Sequence, residues 1–551
     1  MSGAVIEYDV PVPMRDGVVL RADVYRPAGE GPWPVIVART PYDKTDASEL
    51  LYIDPWAAVR RGFITVVQDV RGRFASEGGS DWRPLETEAE DGADTITWAA
   101  QLPGSNGNVG MWGLSYLGNV QWQAAAERPS ALKAIVPQFT WHRADEGLGY
   151  RGGAKELGTV RGWGLGVGFD LVMRRHASDP EGMSKHLMEL VGDLDDLQNR
   201  TFWELPTGSD PVLERHGLPS LARPEVLAAS NVADRQEAVT VPSLNIGGWF
   251  DIFVQGTIDN YQAAARRGTP SKLVIGPWNH VSTLAQQGEV SFGFAGNGFA
   301  VDFETSISGL SFDWLHAWLT SDETPPQDDL PVKIFVMGAN EWRSEAEWPL
   351  ARAVDTSWFL GPEGSLTPGS EPAPDTATYT YDPADPVPTV GGATMLTFSP
   401  AGVFDQRPVE ARPDVLVFTS EPLTEDLEVT GRVTATLTTA TDGPTTDWIV
   451  RLCDVHPDGR SYNVADGITR VRTTPNEPAT VTVDLWSTSM VFKQGHRIRV
   501  QVTSSCFPRW DRNLNTADGF ESGSSRVAHQ TVQLGGATAS RITLPVVPPS
   551  S

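Results

Sequence analysis

The sequence predicts an α/β domain that is interrupted by a helical insertion and followed by an all-β domain. Short apolar runs alternate with helical patterns up to about residue 140 and again from about residue 243, which is typical of a mostly parallel sheet covered on both faces. Beyond about residue 355, Val/Thr-rich runs recur with little helical periodicity. We therefore predict an α/β domain over 1–140 and 239–354, a helical cap over 141–238 and a β domain over 355–551.

The first part of the α/β domain opens with an antiparallel strand pair. Apolar and polar residues alternate over 5–26, with a turn signal at 15–17. Buried strands and a helix follow, with strands predicted over 35–38, 63–67 and 131–137 and the helix over 88–98. Ligands bind at the carboxyl ends of the strands in such sheets. We therefore expect a site bordered by three loops, Thr40–Lys44, Asp69–Gly78 and the loop after Pro137.

Residues 109–118 form a strand, a sharp turn and the start of a helix. An apolar run leads into Gly113 and Ser115, and an Ala-rich helical pattern follows Gly118. A serine on such a turn exposes its hydroxyl above the sheet, beside the first N–H groups and the positive end of the helix dipole. Gly118 lies one position later than the G-x-S-x-G pattern requires. Ser115 is a candidate nucleophile; the alternative is a Gly-rich turn whose serine only caps the helix.

The later segments follow coarser patterns. The cap is rich in Gly, Arg and Asp and contains helical stretches such as 182–190. The sheet resumes over 243–248 and 273–276, and a helix over 312–320 and a strand over 332–337 complete the domain. In the β domain, Val/Thr-rich runs predict a sandwich or jelly roll, with strands over 427–437, 448–453, 479–485, 497–504 and 542–546.

Two residues after the resumed strands can complete a catalytic triad with Ser115. In an α/β-hydrolase sheet the chain order is nucleophile, acid, histidine. The histidines after the resumed sheet are His280, His316, His456, His496 and His529. His280 directly follows a buried strand, whereas His316 lies in a predicted amphipathic helix and the other three fall in the β domain. Asp251 follows the preceding strand, so we predict that it orients His280 as the base.

An acyl-transfer site also needs donors for the oxyanion. The N–H of Tyr116, which follows Ser115, is one predicted donor. The second donor usually comes from the loop after the third strand, where Pro41 lacks an N–H and leaves the Tyr42 hydroxyl for this role. Trp249, two residues before the predicted acid, would exclude water and line the substrate pocket.

Composition limits the partners and the compartment. The net charge of −27 and the pI near 4.7 argue against nucleic acid and anionic membranes. Two cysteines, Cys453 and Cys506, make no disulfide framework and indicate a reducing compartment. The N-terminus Met1–Ala4 lacks a signal-peptide layout, so we expect a cytoplasmic protein. No histidine pair has the helical spacing of a zinc motif; we expect no metal and no cofactor.

Seven motifs together resemble the bacterial cocaine esterase family (CocE/NonD hydrolases), in the clan of Xaa-Pro dipeptidyl-peptidases and α-amino acid ester hydrolases. The motifs are RTPYDK (39–44), DVRGRFASEG (69–78), GNVGMWGLSYLG (107–118), GGWFD (247–251), IGPWNH (275–280), VMGANEW (336–342) and YDPADPVP (381–388). The resemblance covers nearly the whole chain and is weakest in the cap. It implies an α/β-hydrolase domain with a helical cap and a C-terminal jelly roll.

The same resemblance implies roles for particular residues. The family's catalytic triad corresponds to Ser115, Asp251 and His280, with Tyr42 and the Tyr116 amide as oxyanion donors. The glycine at 118 is the family's own form of the turn. Aromatic walls of the acyl pocket are expected at Trp163 and Phe253. The chain departs from the family near Leu148, where a second cap tryptophan is expected.

Three functions remain open at this point. The first is a serine carboxylesterase for esters with an apolar or aryl acyl group, acting on a small-molecule substrate, with a homodimer left open. The second uses the same triad as an Xaa-Pro dipeptidyl-peptidase or α-amino acid ester hydrolase. Such substrates carry a free amine, for which Asp145, Glu146 and Glu156 in the cap are candidate partners. The third is a non-enzymatic ligand-binding protein.

Overall fold

A ten-stranded sheet forms the centre of the N-terminal domain in the computed structural model, which describes residues 4–46, 54–79, 81–205, 210–321, 330–369, 371–396, 399–518, 523–536 and 538–548. Its strands are β1 (Ala4–Pro13), β2 (Val19–Pro27), β3 (Trp33–Thr40), β4 (Ile64–Asp69), β5 (Ser105–Leu114), β6 (Leu132–Gln138), β7 (Ser243–Phe250), β8 (Ser271–Asn279), β9 (Val332–Val336) and β10 (Glu341–Glu345). The spatial order is β1-β2-β4-β3-β5-β6-β7-β8-β9-β10. Neighbours from β4 to β9 are parallel, whereas β1, β2 and β10 run antiparallel to the strands beside them.

Helices cover both faces of this sheet, as the alternation of patterns predicts. The helices of the described residues are α1 (Pro55–Arg60), α2 (Glu88–Ala99), α3 (Tyr116–Ala126), α4 (Leu157–Gly166), α5 (Gly168–Arg175), α6 (Pro180–Asp195), α7 (Pro211–Arg215), α8 (Pro224–Ser230), α9 (Val254–Arg266), α10 (Ile307–Leu319) and α11 (Arg407–Glu410). Side chains of consecutive strand residues point to opposite faces of a sheet, so two neighbouring residues of β5 contact the helices on the two faces. Met111 shares a core cluster with Trp122 of α3, whereas the Trp112 ring lies 4.8 Å from that of Phe312 in α10.

The cap consists of α4 to α8, inserted between β6 and β7. Arg73, in the loop after β4, donates a hydrogen bond to the Val167 carbonyl between α4 and α5 at 3.0 Å. The indole N–H of Trp163 in α4 donates to the hydroxyl of Tyr42, after β3, at 2.9 Å. The cap therefore lies over the carboxyl ends of the parallel strands.

Two antiparallel sheets form the C-terminal domain. Their strands are β11 (Val354–Leu360), β12 (Leu366–Pro368), β13 (Thr376–Tyr381), β14 (Leu416–Thr419), β15 (Leu427–Thr441), β16 (Thr445–Val455), β17 (Ser461–Arg472), β18 (Ala479–Phe492), β19 (Arg497–Thr503), β20 (Ala528–Gln533) and β21 (Arg541–Val547). One sheet has the order β12-β11-β21-β15-β20-β13, with β18 also paired to β15, and the other has the order β14-β19-β16-β17. Trp448 of one sheet and Val433 and Val483 of the other share one core. The predicted fold class is confirmed.

Tertiary packing lengthens several predicted elements. The strand predicted over 427–437 continues to Thr441 and that over 479–485 to Phe492, because the two pair along their whole length. Cys453 and Cys506 are buried and unbridged. No helix in the described ranges is both long and apolar enough to span a bilayer. Residues 1–3, part of the stretch behind the signal-peptide prediction, lie outside the described residues.

Candidate active site

Ser115 occupies a sharp turn between β5 and α3. Its φ of 61° and ψ of −120° are unusual for a residue with a side chain and are typical of strained functional positions. Gly113 has a φ of +140°, and a Cβ added there would lie 2.5 Å from the Leu117 Cβ. A Cβ added to Gly118 would lie 2.8 Å from the Thr140 Cβ. Close packing of α3 on the loop after β6 therefore explains a glycine three residues after the serine.

Three side chains from three strand ends form one hydrogen-bonded chain at this turn. His280, directly after β8, has its Nε2 2.9 Å from the Ser115 Oγ. Its Nδ1 lies 2.7 Å from Oδ1 of Asp251, directly after β7. Serine and histidine are 165 positions apart, and the parallel strands β5, β7 and β8 bring their loops to one edge. The imidazole can accept the serine proton through Nε2 while the carboxylate binds the N–H of Nδ1.

The surroundings of His280 hold its ring in one orientation. The Asp251 side chain is fully buried, and its Oδ2 has no hydrogen-bond partner among the residues described. A buried carboxylate with an unpaired oxygen stabilises an imidazolium when one forms. Phe253 and Phe139 pack edge-on against the imidazole, with ring centroids 5.1 and 6.5 Å away. Nδ1 therefore stays directed at the carboxylate and Nε2 at the serine.

Tyr42 lies near the turn that carries Ser115, and its hydroxyl is held by a hydrogen bond from the cap. Its ring centroid is 6.5 Å from that of Tyr116. Its own N–H donates to the Thr40 hydroxyl at 3.0 Å, and Pro41 has no N–H, so the main chain here is not available as a donor. The hydroxyl accepts the Trp163 indole N–H at 2.9 Å. Because an accepting hydroxyl still carries its own proton, it can donate to an oxyanion.

The loop after β4, which contains the DVRGRF sequence, supports the Tyr42 loop. Asp69 accepts hydrogen bonds from the N–H groups of Lys44 and Ala75 at 2.7 and 3.1 Å. Arg73 donates to the carbonyl of the residue before Tyr42 at 2.9 Å. Burial raises the pKa of Asp69 to about 7, against the opposing effects of those N–H groups and of the Lys44 charge. No role was predicted for Asp69 and Arg73; the available signal was their position at and just after the end of a buried strand.

The phenol of Tyr116 anchors the first turn of α3. It donates to Oε1 of Glu88 at 2.8 Å and accepts the Leu85 N–H at 3.2 Å. Glu88 is buried and pairs with Arg39 at 2.6 Å. Burial, together with the charge of Glu88, raises the pKa of the Tyr116 phenol well above its usual value. The main-chain N–H of Tyr116 lies in the first turn of a helix, where N–H groups lack intrahelical acceptors, and can bind an oxyanion at Ser115.

Aromatic side chains pack next to His280 and next to Tyr42, and together they are called the aromatic wall here. The Phe253 ring, which contacts His280, lies 5.0 Å from that of Trp141. The Trp163 ring lies 5.7 Å from that of Trp82. Trp82 and Trp141 were not predicted, since neither belongs to a local pattern that distinguishes it from the other tryptophans. The wall is apolar and partly assembled from residues far apart in sequence.

Trp249 does not join this wall, contrary to the prediction. Its indole N–H donates to the Phe335 carbonyl of β9 at 2.7 Å, and its ring lies 5.9 Å from that of Trp348. Both rings belong to a separate core cluster that also contains residues of the β domain. Packing against a neighbouring strand therefore sets the direction of this side chain, which its spacing from Asp251 does not encode.

The three cap carboxylates considered as partners for a substrate amine are all engaged. Glu156 is buried and accepts the Trp510 indole N–H at 2.8 Å. Glu146 accepts a backbone N–H of the following hairpin at 3.3 Å. Asp145 pairs with Arg143 at 2.8 Å on the surface. Each has a structural partner within the cap or the β domain.

The fold and this site define a hydrolase of the α/β class. A model of the X-Pro dipeptidyl-peptidase (S15 family) matches residues 16–282, and one of the X-Pro dipeptidyl-peptidase C-terminal non-catalytic domain matches 326–543. The chain is 36% identical to the cocaine esterase of Rhodococcus sp. (strain MB1 Bresler) over 544 residues, which cover 92% of each protein. The chain therefore belongs to the cocaine esterase family of S15-type hydrolases.

Solved structures share this architecture over the whole chain. An aminopeptidase from a marine sediment Thaumarchaeota archaeon superposes with a TM-score of 0.80 at 24% identity, covering 99% of this chain and 97% of that one. An α-amino acid ester hydrolase superposes with a TM-score of 0.77 at 26% identity and the same coverage. The two differ in the activity their names state, so the shared fold alone does not select the substrate.

Proposed function

We propose that this protein is a serine carboxylesterase that works through an acyl-enzyme intermediate. The hydrogen-bonded chain from Ser115 through His280 to Asp251 is the observation that carries the proposal. The family relationship to a cocaine esterase supports ester hydrolysis. The nucleophile, its base and the orienting acid all lie at the edge where α/β sheets bind substrates.

The reaction proceeds in two matched halves. Ser115 Oγ attacks the ester carbonyl carbon as its proton passes to His280 Nε2, and the resulting oxyanion accepts hydrogen bonds from Tyr42 and the Tyr116 N–H. The carbon–oxygen bond to the alcohol then breaks, and His280 gives its proton to the leaving oxygen. Water attacks the acyl-enzyme with His280 again as the base. The acid leaves, and the serine regains its proton.

The border of the site supports an apolar or aryl acyl group. Phe253 and Trp163, with Trp82 behind the latter, offer ring surface rather than hydrogen-bond donors. Leu148 is buried in the same core, where the family resemblance implied a tryptophan. A leucine replaces a flat ring with a smaller branched side chain. We therefore expect the preferred acyl group to differ from benzoyl in shape while remaining apolar.

Peptidase or amino-ester hydrolase activity is the alternative within the same family. Those substrates carry a cationic amine, which needs a carboxylate that is not already compensated. Asp145 already pairs with Arg143, and Glu156 is buried and accepts the Trp510 indole N–H, so these two carboxylates favour ester hydrolysis. Hydrolysis of a 4-nitrophenyl acyl ester should exceed that of an Xaa-Pro 4-nitroanilide. Faster hydrolysis of the anilide would overturn the ester preference while leaving the triad in place.

Covalent labelling tests the nucleophile separately. A fluorophosphonate probe should modify the native protein at Ser115, and the Ser115→Ala variant should take no label. Ser282→Ala is a matched control, because this serine lies in the loop after β8 at the same edge and its hydroxyl accepts the backbone N–H of Leu284. Label retained in Ser115→Ala would reject Ser115 as the nucleophile, whereas no label in the native protein would favour a non-enzymatic binding protein.

A further inference from the structure

Two histidines and a buried aspartate meet at the end of a strand pair in the β domain, far from the triad in sequence. Asp454 lies near the end of β16, and His456 directly follows that strand. His496 directly precedes β19. The two strands are antiparallel, with Val455 opposite Arg497, so the end of one lies beside the start of the other. The register thus brings together three groups that local spacing does not relate.

The donor atoms of these groups converge on one point. His496 Nδ1 lies 2.9 and 3.0 Å from the two carboxylate oxygens of Asp454. His456 Nε2 lies 3.3 Å from Oδ2 of the same carboxylate. The two imidazole rings are 4.3 Å apart, and one ligand atom from each of the three residues falls within 4.8 Å of the others. The carboxylate is buried, and the imidazoles are partly exposed.

We propose that Asp454, His456 and His496 form a binding site for a divalent transition-metal ion of the zinc class. A tetrahedral ion with bonds of about 2.0–2.1 Å holds its ligand atoms about 3.3 Å apart. The two histidine–carboxylate separations, 2.9 and 3.3 Å, match that edge to within a few tenths of an ångström, and all three ligand atoms lie within 4.8 Å of one another. Binding would replace the imidazole N–H protons that now face the carboxylate, while the protons move to His456 Nδ1 and His496 Nε2.

The ligand set selects the kind of ion. Two imidazole nitrogens with one carboxylate suit Zn²⁺, Co²⁺, Ni²⁺ or Cu²⁺, whereas Mg²⁺ and Ca²⁺ prefer all-oxygen sites. Two nearby cations are already paired, since the Lys493 ammonium lies 3.0 Å from Asp426 and the Arg460 guanidinium lies 2.7 Å from Asp458. The buried carboxylate supplies the negative charge.

A cavity of about 220 Å³ gives the ion an open coordination position. All three candidate ligands line it, together with apolar residues of both domains such as Phe250, Phe292 and Met490. Three protein ligands and one open position facing a cavity are typical of zinc sites that bind water or a small anion. The ion would also tie the turn after β16 to the turn before β19, because each contributes a histidine.

Metal titration of the untagged, chelator-treated full chain tests the site. Calorimetry with Zn²⁺ should show one equivalent bound, and Co²⁺ should develop the visible absorption of a four-coordinate ion. His456→Gln and His496→Gln should each weaken Zn²⁺ binding by about tenfold or more, since even the loss of an outer-shell partner costs that much. Both histidines lie at turns, so these variants keep Asp454 and the strands on which the site is built.

The cap supplies a matched control. His176 and His186 form another close pair of imidazoles, with ring centroids 4.5 Å apart, and His186 faces the exposed Glu189. His186→Gln should leave Zn²⁺ affinity and the Co²⁺ spectrum unchanged. Absence of stoichiometric binding to the native chain, or binding that His186→Gln removes and His456→Gln leaves, would overturn the proposal and make the group a hydrogen-bonded Asp–His cluster.

Discussion

Replacing Tyr42 with phenylalanine isolates the hydroxyl that the proposed mechanism places on the oxyanion. The change keeps the ring, which lies 6.5 Å from that of Tyr116, and removes the oxygen that accepts the Trp163 N–H. Loss of one oxyanion donor raises the activation free energy by about 2.7–4 kcal/mol, which corresponds to about 10²–10³ in kcat. KM should change little, because the interaction strengthens only as the carbonyl oxygen becomes charged.

Stability should be affected far less than turnover. One hydrogen bond to a partly buried indole contributes about 0.5–1.5 kcal/mol. Steady-state hydrolysis of a 4-nitrophenyl ester, with thermal unfolding measured in parallel, separates the two effects. Trp163→Phe is the matched control, because it removes the same hydrogen bond but leaves the Tyr42 hydroxyl able to donate. A kcat for Tyr42→Phe within about threefold of native would refute the assignment of Tyr42 as an oxyanion donor.

Three further predictions concern the nucleophile, the turn over residues 113–118 and Asp69 at the end of β4. Ser115→Ala should lower kcat by up to about 10⁶ while substrate binding persists, which single-turnover kinetics and an inhibition assay would measure. Gly118→Ala should cost about 1–3 kcal/mol by chemical unfolding, since its Cβ would meet the loop after β6 at 2.8 Å, whereas Gly166→Ala has open space and should be neutral or stabilising. The pKa of Asp69 is raised to about 7, so the folded chain holds a proton that the unfolded chain releases near pH 4, and stability is lost as pH rises through this window. The Tm of the native protein should therefore fall relative to that of Asp69→Asn between pH 4 and 7, and a constant difference across this range would contradict the shift.

Local pattern was sufficient for the main architecture. The period of apolar residues distinguished the strand ending before Asp69 from the helix over 88–98, and it separated the α/β segments from the Val/Thr-rich β domain. The candidate nucleophile was identifiable because a strand, a Gly-rich turn and a helix follow one another within residues 109–126. Chain order and strand ends then indicated Asp251 and His280.

Contacts between segments that are distant in sequence could not be predicted from local sequence pattern. The roles of Asp69 and Arg73 depend on a loop some thirty positions away, and the direction of Trp249 depends on β9. Helical histidine spacing does not reveal the cluster of Asp454, His456 and His496, because the antiparallel register of β16 and β19 brings its members together.

The sequence by itself determined the order and type of the main elements. It also determined that Ser115, Asp251 and His280 follow the ends of β5, β7 and β8. Only the tertiary structure decided which distant side chains contact one another: the Trp163 indole donates to the Tyr42 hydroxyl, the Arg73 guanidinium donates to the carbonyl before Tyr42, and the Trp510 indole donates to Glu156. The physical reason is that periodicity and turn chemistry act within a few residues, whereas burial and hydrogen bonding are satisfied between whichever segments the sheet order makes neighbours.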